Sequence, residues 1–561
     1  MNLLRAISEP RFAALNLSLL AAFLAFALLP LLPALGWLLL PLALVASGTA
    51  ALGLRDLMQT NHAILRNYPI IAHLRFLLED LRPELRQYFF EGDKDGAPFP
   101  RDQRAIVYQR AKKDLDKRPF GTMHDVYREQ FEWLHHSLAP LPGTPVDAMR
   151  VQVGTGPRAY SASLLNISAM SYGALSANAI RALNKGARAG GFFHDTGEGG
   201  VSPYHREFGG DLVWEIGSGY FGCRDAGGGF DPGRFADMAQ DDQIRMVELK
   251  LSQGAKPGHG GVLPAAKVTP EIAAIRGVPM GQDCVSPAAH SAFSTPVGLL
   301  EMVAQMRDLS GGKPAGFKLC IGHRWEFMAI CKAMLETGIT PDFIVIDGKE
   351  GGTGAAPLEF MDHVGMPLRD GLSFAHNALV GTGLRDRIRI GASGKITSAF
   401  DMARVLALGA DWCNAARGFM FAVGCIQAQA CHTGRCPTGV TTQDPMRQRA
   451  LVVPDKAQRV ASFHHNTLHA LSELVAAAGL AQPGDLGPHH FLRRASADRV
   501  TSLAEQYEML APGQLLSDPG SSPLFGADWA MSSAFSFARM TWPEAAKTQR
   551  RQSSRASARP S

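Results

Sequence analysis

Several patterns that would assign this sequence quickly are missing from it. The eight cysteines are scattered over 561 residues, which excludes the dense disulfide framework of a small secreted domain. The formal net charge is only +5, and outside a basic stretch at residues 547–559 nothing indicates nucleic-acid binding. No Gly-x-Gly-x-x-Gly motif opens the first strand and helix expected after residue 164, which argues against a dinucleotide-binding fold. The chain is nevertheless 46% hydrophobic and long enough to bury a large core.

Charged residues are also missing from residues 12–54, between Arg11 and Arg55. One bilayer crossing takes about 20 apolar residues, so this run is long enough for two crossings. Pro30 and Pro33 supply the turn between them. The run is too long for a secretory signal peptide, and a buried helical hairpin of a soluble protein is the alternative. We expect a two-helix transmembrane hairpin over residues 12–54.

Positive residues flank this run on both sides. Arg5 and Arg11 precede it, and Arg55 and Arg66 follow it. Because positive residues stay on the cytoplasmic side of a membrane, both ends should be cytoplasmic. The sequence therefore predicts a multi-pass protein of the cell inner membrane whose catalytic body lies in the cytoplasm, where thiols stay reduced.

Composition and periodicity divide the rest of the chain into three regions. Residues 60–150 show apolar residues at helical spacing until Pro83 and are expected to form a helical lead-in. In residues 160–480, short β-rich apolar runs alternate with helical stretches. This alternation predicts an α/β fold that closes as a (βα)8 TIM-type barrel, with an open doubly wound sheet as the alternative. Residues 481–561 form a C-terminal extension that ends in a basic, disordered tail.

The strand and helix candidates of the barrel region follow from the same patterns. The strand candidates include residues 164–168, 316–321, 342–346, 387–390 and 412–415, and the helix candidates include residues 178–189, 295–309, 325–337 and 398–408. In such a barrel the chemistry lies on the loops after the carboxyl ends of the strands.

Those loops carry unusual residues. Residues 168–176, SAMSYGALS, and residues 194–202, HDTGEGGVS, offer hydroxyls and glycines that let a ligand approach the main chain. Glu198 is expected either to orient a ligand or to hold a loop N–H. Residues 250–267, KLSQGAKPGHGGVLPAAK, combine lysines with glycine-rich turns and would suit an anion. Lys318 stands in an apolar strand, where an unpaired charge is costly, so it is expected to meet an anion.

Three cysteines, Cys425, Cys431 and Cys436, are separated by five and four residues, and Pro437 follows the last. Thiolates are soft ligands, and a compact loop that presents three of them is typical of an iron–sulfur cluster. Three ligands rather than four favour a [3Fe-4S] centre. The alternative is a loop of buried thiols without a ligand.

With its flanks, the cysteine loop resembles the cluster loop of glutamate synthase, which has the same spacing after the last strands of its barrel. The resemblance is to the FMN-binding synthase domain and runs from about residue 167 to about residue 480. It implies FMN and a [3Fe-4S] cluster as cofactors. Residues 347–354, DGKEGGTG, resemble the glycine-rich flavin loop of that family.

The resemblance also implies roles for individual residues. The implied catalytic residues are Lys250, Lys256, Glu198 and His259, and the implied cluster ligands are Cys425, Cys431 and Cys436. The implied FMN-binding residues are Ser171, Thr196, Gln253, Lys318, Gly351, Gly352, Thr353, Gly391, Ser393, Gly394, Ala416 and Arg417. His259 stands where the family commonly has glutamate, a departure that bears on the amine chemistry more than on flavin binding. Arg417 should contact the phosphate, with an ion pair to an acid such as Asp411 as the alternative.

The function implied by the resemblance is that of an oxidoreductase acting on CH-NH2 donors. It would reduce the imine of 2-oxoglutarate and ammonia to glutamate, with electrons from a partner protein because no NAD(P)H site is visible. No amidotransferase domain is seen, so ammonia should come from solution or from another subunit. One alternative is an enzyme resembling N-methylglutamate synthase, which uses an amine. The other is a membrane-tethered flavin and iron–sulfur electron-transfer subunit.

The uncharged run gives a direct prediction. The full-length protein should sediment with membranes and resist salt extraction, because two apolar helices inserted in lipid are not released by ionic strength. A shortened chain that starts at Asn61 should remain in the supernatant after the same centrifugation. A full-length chain that behaves as a soluble monomer without detergent would contradict the hairpin.

Overall fold

A computed structural model describes residues 9–541. The basic stretch at residues 547–559, predicted to be a disordered tail, lies outside the described residues, as does Arg5. The chain divides between Arg101 and Asp102 into two compact units.

The first unit contains two long apolar helices, Ala13–Leu28 and Gly36–Met58, with a turn at Pro30 and Pro33 between them. Both helices are long and apolar enough to cross a membrane, and only 17% and 22% of their most apolar windows are buried. This criterion considers only the length and composition of a helix. The transmembrane hairpin and the inner-membrane location therefore stay predictions.

The rest of the first unit is also helical. Ile71–Leu85 is an α-helix, and a single π-helical turn, Arg86–Phe90, follows it. Pro83 was predicted to interrupt this helix, but it lies in the last turn, where the missing proline N–H costs one hydrogen bond near the natural end. Asp56 is buried and accepts hydrogen bonds from the backbone N–H of Ile70 and from His73, both at 3.0 Å.

The second unit is built around eight parallel strands. They are β1 (Leu165–Ile167), β2 (His194–Asp195), β3 (Leu212–Ile216), β4 (Ile244–Lys250), β5 (Ala315–Leu319), β6 (Phe343–Asp347), β7 (Arg389–Ser393) and β8 (Trp412–Ala415). Each strand pairs with the next, and β8 pairs with β1, so the sheet is closed. The predicted (βα)8 barrel is confirmed, and the open doubly wound sheet is excluded.

Five of these strands lie where the sequence placed them, whereas β2, β3 and β4 were not predicted. β2 has only two residues, too few to give a periodic signal. β3 and β4 carry Glu215 and Glu248 in their buried runs, and charged residues break the apolar pattern expected of a parallel strand.

Helices follow most of the strands and cover the barrel. They are Ala177–Gly190, Pro203–Arg206, Pro232–Ala239, Pro296–Leu309, Arg324–Thr337, Leu368–Gly381 and Ala399–Ala407, and Val453–Ala477 packs beside the first of them. Ser176, Asp231, Thr295 and Ser398 each accept a hydrogen bond from a first-turn N–H. Such caps satisfy donors that have no partner within a helix.

A β-hairpin, Arg150–Val153 with Tyr160–Ser163, closes the amino-terminal end of the barrel. Its Val153, Tyr160 and Ala162 pack with residues from the barrel strands, among them Phe343 and Trp412, in one buried core. Because this end is filled, the carboxyl-terminal end is left to form a cleft.

The predicted helical lead-in also contains a strand. Helix Arg101–Lys112 agrees with the expectation, but Glu132–Leu134 is a strand that pairs antiparallel with Phe491–Arg494. Its Glu132 forms ion pairs with Arg369 and Arg404, the latter at 2.7 Å. The pairing partner lies far away in sequence, so no local pattern could have indicated it.

Packing inside the barrel gives a second prediction. A Cβ atom on Gly391 would lie 2.7 Å from the buried indole of Trp412, closer than carbon atoms pack. We expect Gly391→Ala to lower the free energy of unfolding by about 1–3 kcal/mol, the usual cost of overpacking a core. Chemical denaturation would measure this.

Gly322→Ala is the matched control, since a Cβ there meets no described heavy atom within 4 Å. Its denaturation midpoint should equal that of the unsubstituted protein. Equal midpoints for both variants would contradict the packing role of Gly391.

Candidate functional site

An open cleft of about 980 Å³ lies over the carboxyl ends of the strands. It is lined by loops that follow β1, β2, β4, β6 and β8, represented by Ser171, Glu198, Gln253, Thr353 and Ala416. Parallel strands of a closed barrel all end at one rim, and this is where such barrels hold their ligands.

Positive charge dominates the lining of the cleft. Lys250, Lys256, Lys267, Arg276 and Arg417 line it, against two acids, Glu198 and Glu215. This excess of cations suits an anionic ligand.

Glu198 is held in place by an ion pair. Its carboxylate lies 3.2 Å from Lys250 Nζ and accepts a hydrogen bond of 3.4 Å from Ser286. Burial alone would raise the pKa of Glu198, but the charges of Lys250 and Arg276 outweigh burial and lower it. Glu198 is therefore ionised and neutralises Lys250.

Lys256 has a different environment. Its side chain is buried, and the described residues give its Nζ no hydrogen bond. Burial lowers the pKa of Lys256, and the charge of Glu198 opposes that effect. A ligand carboxylate or phosphate could therefore pair with Lys256, which would favour its charged form.

The three cysteines of the loop line one small cavity. Backbone N–H of Gln427 lies 3.5 Å from Cys425 Sγ, and Thr438 Oγ1 lies 3.5 Å from Cys436 Sγ. Burial opposes ionisation of Cys436, but the polar groups of Thr441 and Thr438 beside the sulfur more than offset burial and lower the pKa of Cys436. Three sulfurs around one cavity, with donors directed at them, fit a cluster held by thiolates.

The cysteine loop and the cleft share a wall. Cys431 lines both cavities. Lys267 Nζ donates to the backbone carbonyl groups of Ala174 and Cys431, at 3.1 and 3.2 Å. Arg417 donates to the carbonyl group of Thr353 at 2.8 Å and approaches Cys431 Sγ to 4.0 Å. Two cations therefore join the thiol loop to the cleft.

The described residues fit a flavin nucleotide in this cleft. Gly352 and Gly354 leave the backbone after β6 accessible, Ser171 and Gln253 add polar groups, and the cations match a phosphate.

Comparison with known sequences assigns the family. A profile of the conserved region in glutamate synthase matches residues 146–481, which is more than half of the chain and contains the whole barrel. The chain belongs to the glutamate synthase family.

Individual relatives agree with this assignment. The glutamate synthase large subunit-like protein YerD of Bacillus subtilis is 38% identical over 482 residues, which cover 79% of this chain and 91% of YerD. The archaeal-type NADPH glutamate synthase of Thermotoga neapolitana is 35% identical over 56% of this chain. The archaeal NADPH glutamate synthase of Methanocaldococcus jannaschii is 34% identical over 63% of this chain. The matches span only 59% and 65% of those two relatives.

Among solved structures, the flavin-binding domain of baker's yeast flavocytochrome b2 is similar, with a TM-score of 0.38 and 10% identity. The match covers 80% of this chain and 92% of that domain. A likeness this low adds nothing about ligands.

The structure brings together nine of the residues that the glutamate synthase resemblance implied. Those that line the cleft are Lys250, Lys256, Glu198, Ser171, Gln253, Gly352, Thr353, Ala416 and Arg417. The three predicted cluster ligands line the adjoining cavity.

Other predicted flavin contacts do not line the cleft. Thr196 is buried and accepts a hydrogen bond from the N–H of Glu215. Gly351 faces the carbonyl oxygen of Gly348, and Gly391 packs on Trp412. A large side chain fills the space beside Gly391, so this residue has a packing role in the structure.

Two further candidates on β7 and its loop also lie elsewhere. Ser393 Oγ contacts Ser168 Oγ at 3.3 Å. Gly394 lines a separate polar cavity with Arg369 and Arg404. Barrels of this kind commonly bind phosphate at the loops after β7 and β8, and the cleft reaches only the second of these two loops.

Two charged residues have partners that the sequence did not indicate. Lys318 is buried, and its Nζ lies 2.7 Å from the carboxylate of Glu215, so the anion expected beside this lysine is a side chain of the protein itself. Asp411, the alternative partner considered for Arg417, accepts instead from Arg385 at 2.8 Å. That alternative is therefore wrong in this structure.

His259 does not line the cleft. Its Nδ1 lies 2.8 Å from the carbonyl oxygen of Gly260, and its ring packs edge-on against Phe360. The replacement of the family glutamate by histidine therefore changes the outer part of the loop.

Three charged residues of the cleft were missed: Glu215, Lys267 and Arg276. Lys267 ends the lysine-rich segment and could have been included on that ground. Arg276 gave no signal, because it reaches back from helix Pro270–Arg276 to the backbone carbonyl of Tyr172.

Proposed function

We propose that this protein is an FMN and iron–sulfur oxidoreductase that reduces the imine formed from a dicarboxylic 2-oxo acid and ammonia. The product with 2-oxoglutarate would be glutamate. The shared wall at Cys431 carries this proposal, because it places a three-cysteine cavity directly beside a cation-rich cleft.

The residues of the cleft would divide the work. FMN, when bound, supplies hydride transfer to the imine carbon. Arg417 lies at the amino end of helix Arg417–Ala422, where backbone N–H groups favour an anion. Lys256, which has no described hydrogen-bond partner, would pair with a substrate carboxylate. Glu198 and Lys250 neutralise each other and would orient a substrate that lies beside the pair.

Cys425, Cys431 and Cys436 would hold the cluster. Lys267 and Arg417 lie next to Cys431, and their positive charge would offset that of the thiolates. A cluster held by these cysteines would lie beside the cleft, which would suit a path for electrons from a partner protein.

We further propose that the first unit anchors the protein in the cell inner membrane with the barrel in the cytoplasm. The support is the pair of helices Ala13–Leu28 and Gly36–Met58, whose leucine and phenylalanine side chains are largely exposed. Exposed apolar side chains on helices of this length are favourable in lipid and costly in water.

The cluster can be tested by metal content. Protein purified without oxygen should contain iron and flavin, and Cys431→Ser should lose iron because one of three thiolate ligands is removed. The barrel should stay folded, as judged by circular dichroism, since Cys431 lies on a loop.

Cys284→Ser is the matched control. Cys284 is buried but lies outside the loop, beside Arg276, so this variant should keep its iron. Native protein that contains neither flavin nor iron would contradict the proposal.

The substrate can be tested by reoxidation of the reduced flavin. Stopped-flow mixing of photoreduced enzyme with 2-oxoglutarate and ammonium should reoxidise the flavin only when both reactants are present. Lys256→Ala should weaken 2-oxoglutarate binding at least tenfold, because losing one cationic contact to a desolvated carboxylate costs about 2–5 kcal/mol.

Lys185→Ala is the control, since Lys185 lies on helix Ala177–Gly190 and contacts Phe208 instead of the cleft. Methylamine in place of ammonium tests an enzyme that resembles N-methylglutamate synthase. If no pair of 2-oxo acid and amine reoxidises protein that holds both cofactors, the protein is an electron-transfer subunit instead.

A further inference from the structure

Three acids meet inside the barrel below the cleft. Asp195 on β2, Glu215 on β3 and Glu248 on β4 are each 1% exposed. One carboxylate oxygen from each lies within 4.8 Å of the others. Lys318 on β5 places its Nζ 2.7 Å from Glu215. We call these four residues the acid cluster.

The charges of the acid cluster do not balance if all three acids are ionised. Three carboxylates face one ammonium group, that of Lys318. The next charged group that acts on Lys318 is a further acid, Asp347. Buried charge without a partner is strongly unfavourable in a protein interior, and a carboxyl group in that position takes up a proton instead.

An unpaired atom points to the same conclusion. Glu248 Oε1 is buried, and the described residues offer it no hydrogen-bond donor. A carboxyl group that keeps its proton can donate to a neighbouring carboxylate, which an ionised one cannot. A proton shared within the acid cluster would therefore satisfy atoms that are otherwise unpaired.

The electrostatic environment supports this reading. Burial and the charge of Asp195 raise the pKa of Glu248 well above its usual range, with Lys318 opposing them. Burial and the charge of Glu215 raise the pKa of Asp195 to about 7. Burial would lower the pKa of Lys318, but Glu215 and Asp347 outweigh it, so Lys318 stays charged.

We propose that the acid cluster is a buried proton store, which keeps at least one shared proton at neutral pH and exchanges it with the cleft through Glu215. Glu215 is the connecting residue because it belongs to the acid cluster and also lines the cleft. A divalent cation is the other occupant that three carboxylates could take, but the ammonium group of Lys318 already lies against Glu215.

The use of the store rests on the proposed function. A flavin that accepts two electrons from a protein donor also takes up protons. Glu248 would pass its proton to the Glu215 carboxylate as its own O–H bond breaks, and Glu215 would pass the proton on to that acceptor and end as the carboxylate it was. The acid cluster then carries one more negative charge until the cleft returns a proton from solvent or from the substrate reaction.

Infrared spectroscopy of flavin-free protein tests the store independently of the flavin. At neutral pH we expect a carbonyl band of a protonated carboxylic acid that shifts in D2O and is lost in Glu248→Gln or in Asp195→Asn. The control is Glu132→Gln, because Glu132 is paired with arginines and should not contribute. No such band, or a band that survives in both variants, would overturn the proposal.

The same spectrum in flavin-loaded protein tests the exchange with the cleft. The band should change when the flavin is reduced, and an unchanged band would overturn the role of Glu215. If the protein binds no flavin at all, the proposed function fails while the flavin-free spectrum still decides whether the store exists. A divalent metal ion bound stoichiometrically to the purified protein and lost in Glu248→Gln would also overturn the proton store.

Stability gives a measurement of the proton count. The pKa of Glu248 is higher in the folded protein than in the unfolded chain. Above about pH 4.5 the folded protein therefore holds a proton on Glu248 that the unfolded chain has lost. Stability should then fall as pH rises, by up to tenfold in the unfolding constant per pH unit for each proton retained. Glu248→Gln should reduce this slope in urea titrations between about pH 5 and 8, and an unchanged slope would contradict the store.

Discussion

The pairing of β8 with β1 is the constraint on which the rest of this molecule depends. It joins residues near position 167 to residues near position 415, and it closes eight parallel strands into a barrel. All carboxyl ends then lie at one rim. With the hairpin and its core filling the opposite end, loops from five strands converge on one cleft. No single loop contains enough charge or enough glycine to form this site alone.

Electrostatics divide the barrel mouth into two layers. The upper layer is the cation-rich cleft, where Glu198 neutralises Lys250 and leaves Lys256 for a ligand. The lower layer is the acid cluster, where Lys318 is the cation and carboxylates are in excess. Glu215 belongs to both. This arrangement places a cation-rich ligand site above an interior rich in carboxyl groups, which the proposed reduction and the proposed proton store would use together.

The cysteine loop depends on the same closure. It follows β8 and helix Arg417–Ala422, and it returns toward the loop after β1. Lys267 and Arg417 connect it to the cleft through hydrogen bonds to backbone carbonyl groups. The profile of the glutamate synthase family covers all of these parts, and the chain's own contacts indicate how one wall could serve the two proposed cofactors.

The sequence by itself determined the repeating strands and helices, the cysteine spacing and the lysine-rich segment. These are local patterns, and the three cysteines and the three lysines of the last two line the cleft or its neighbouring cavity. It could not determine β3 and β4, because their buried glutamates obscure the apolar pattern. Nor could it determine that Lys318 pairs with Glu215, that Gly391 packs on Trp412 or that Arg276 reaches the cleft. Each of these depends on atoms far apart in the chain, and only closure of the barrel brings them within contact distance.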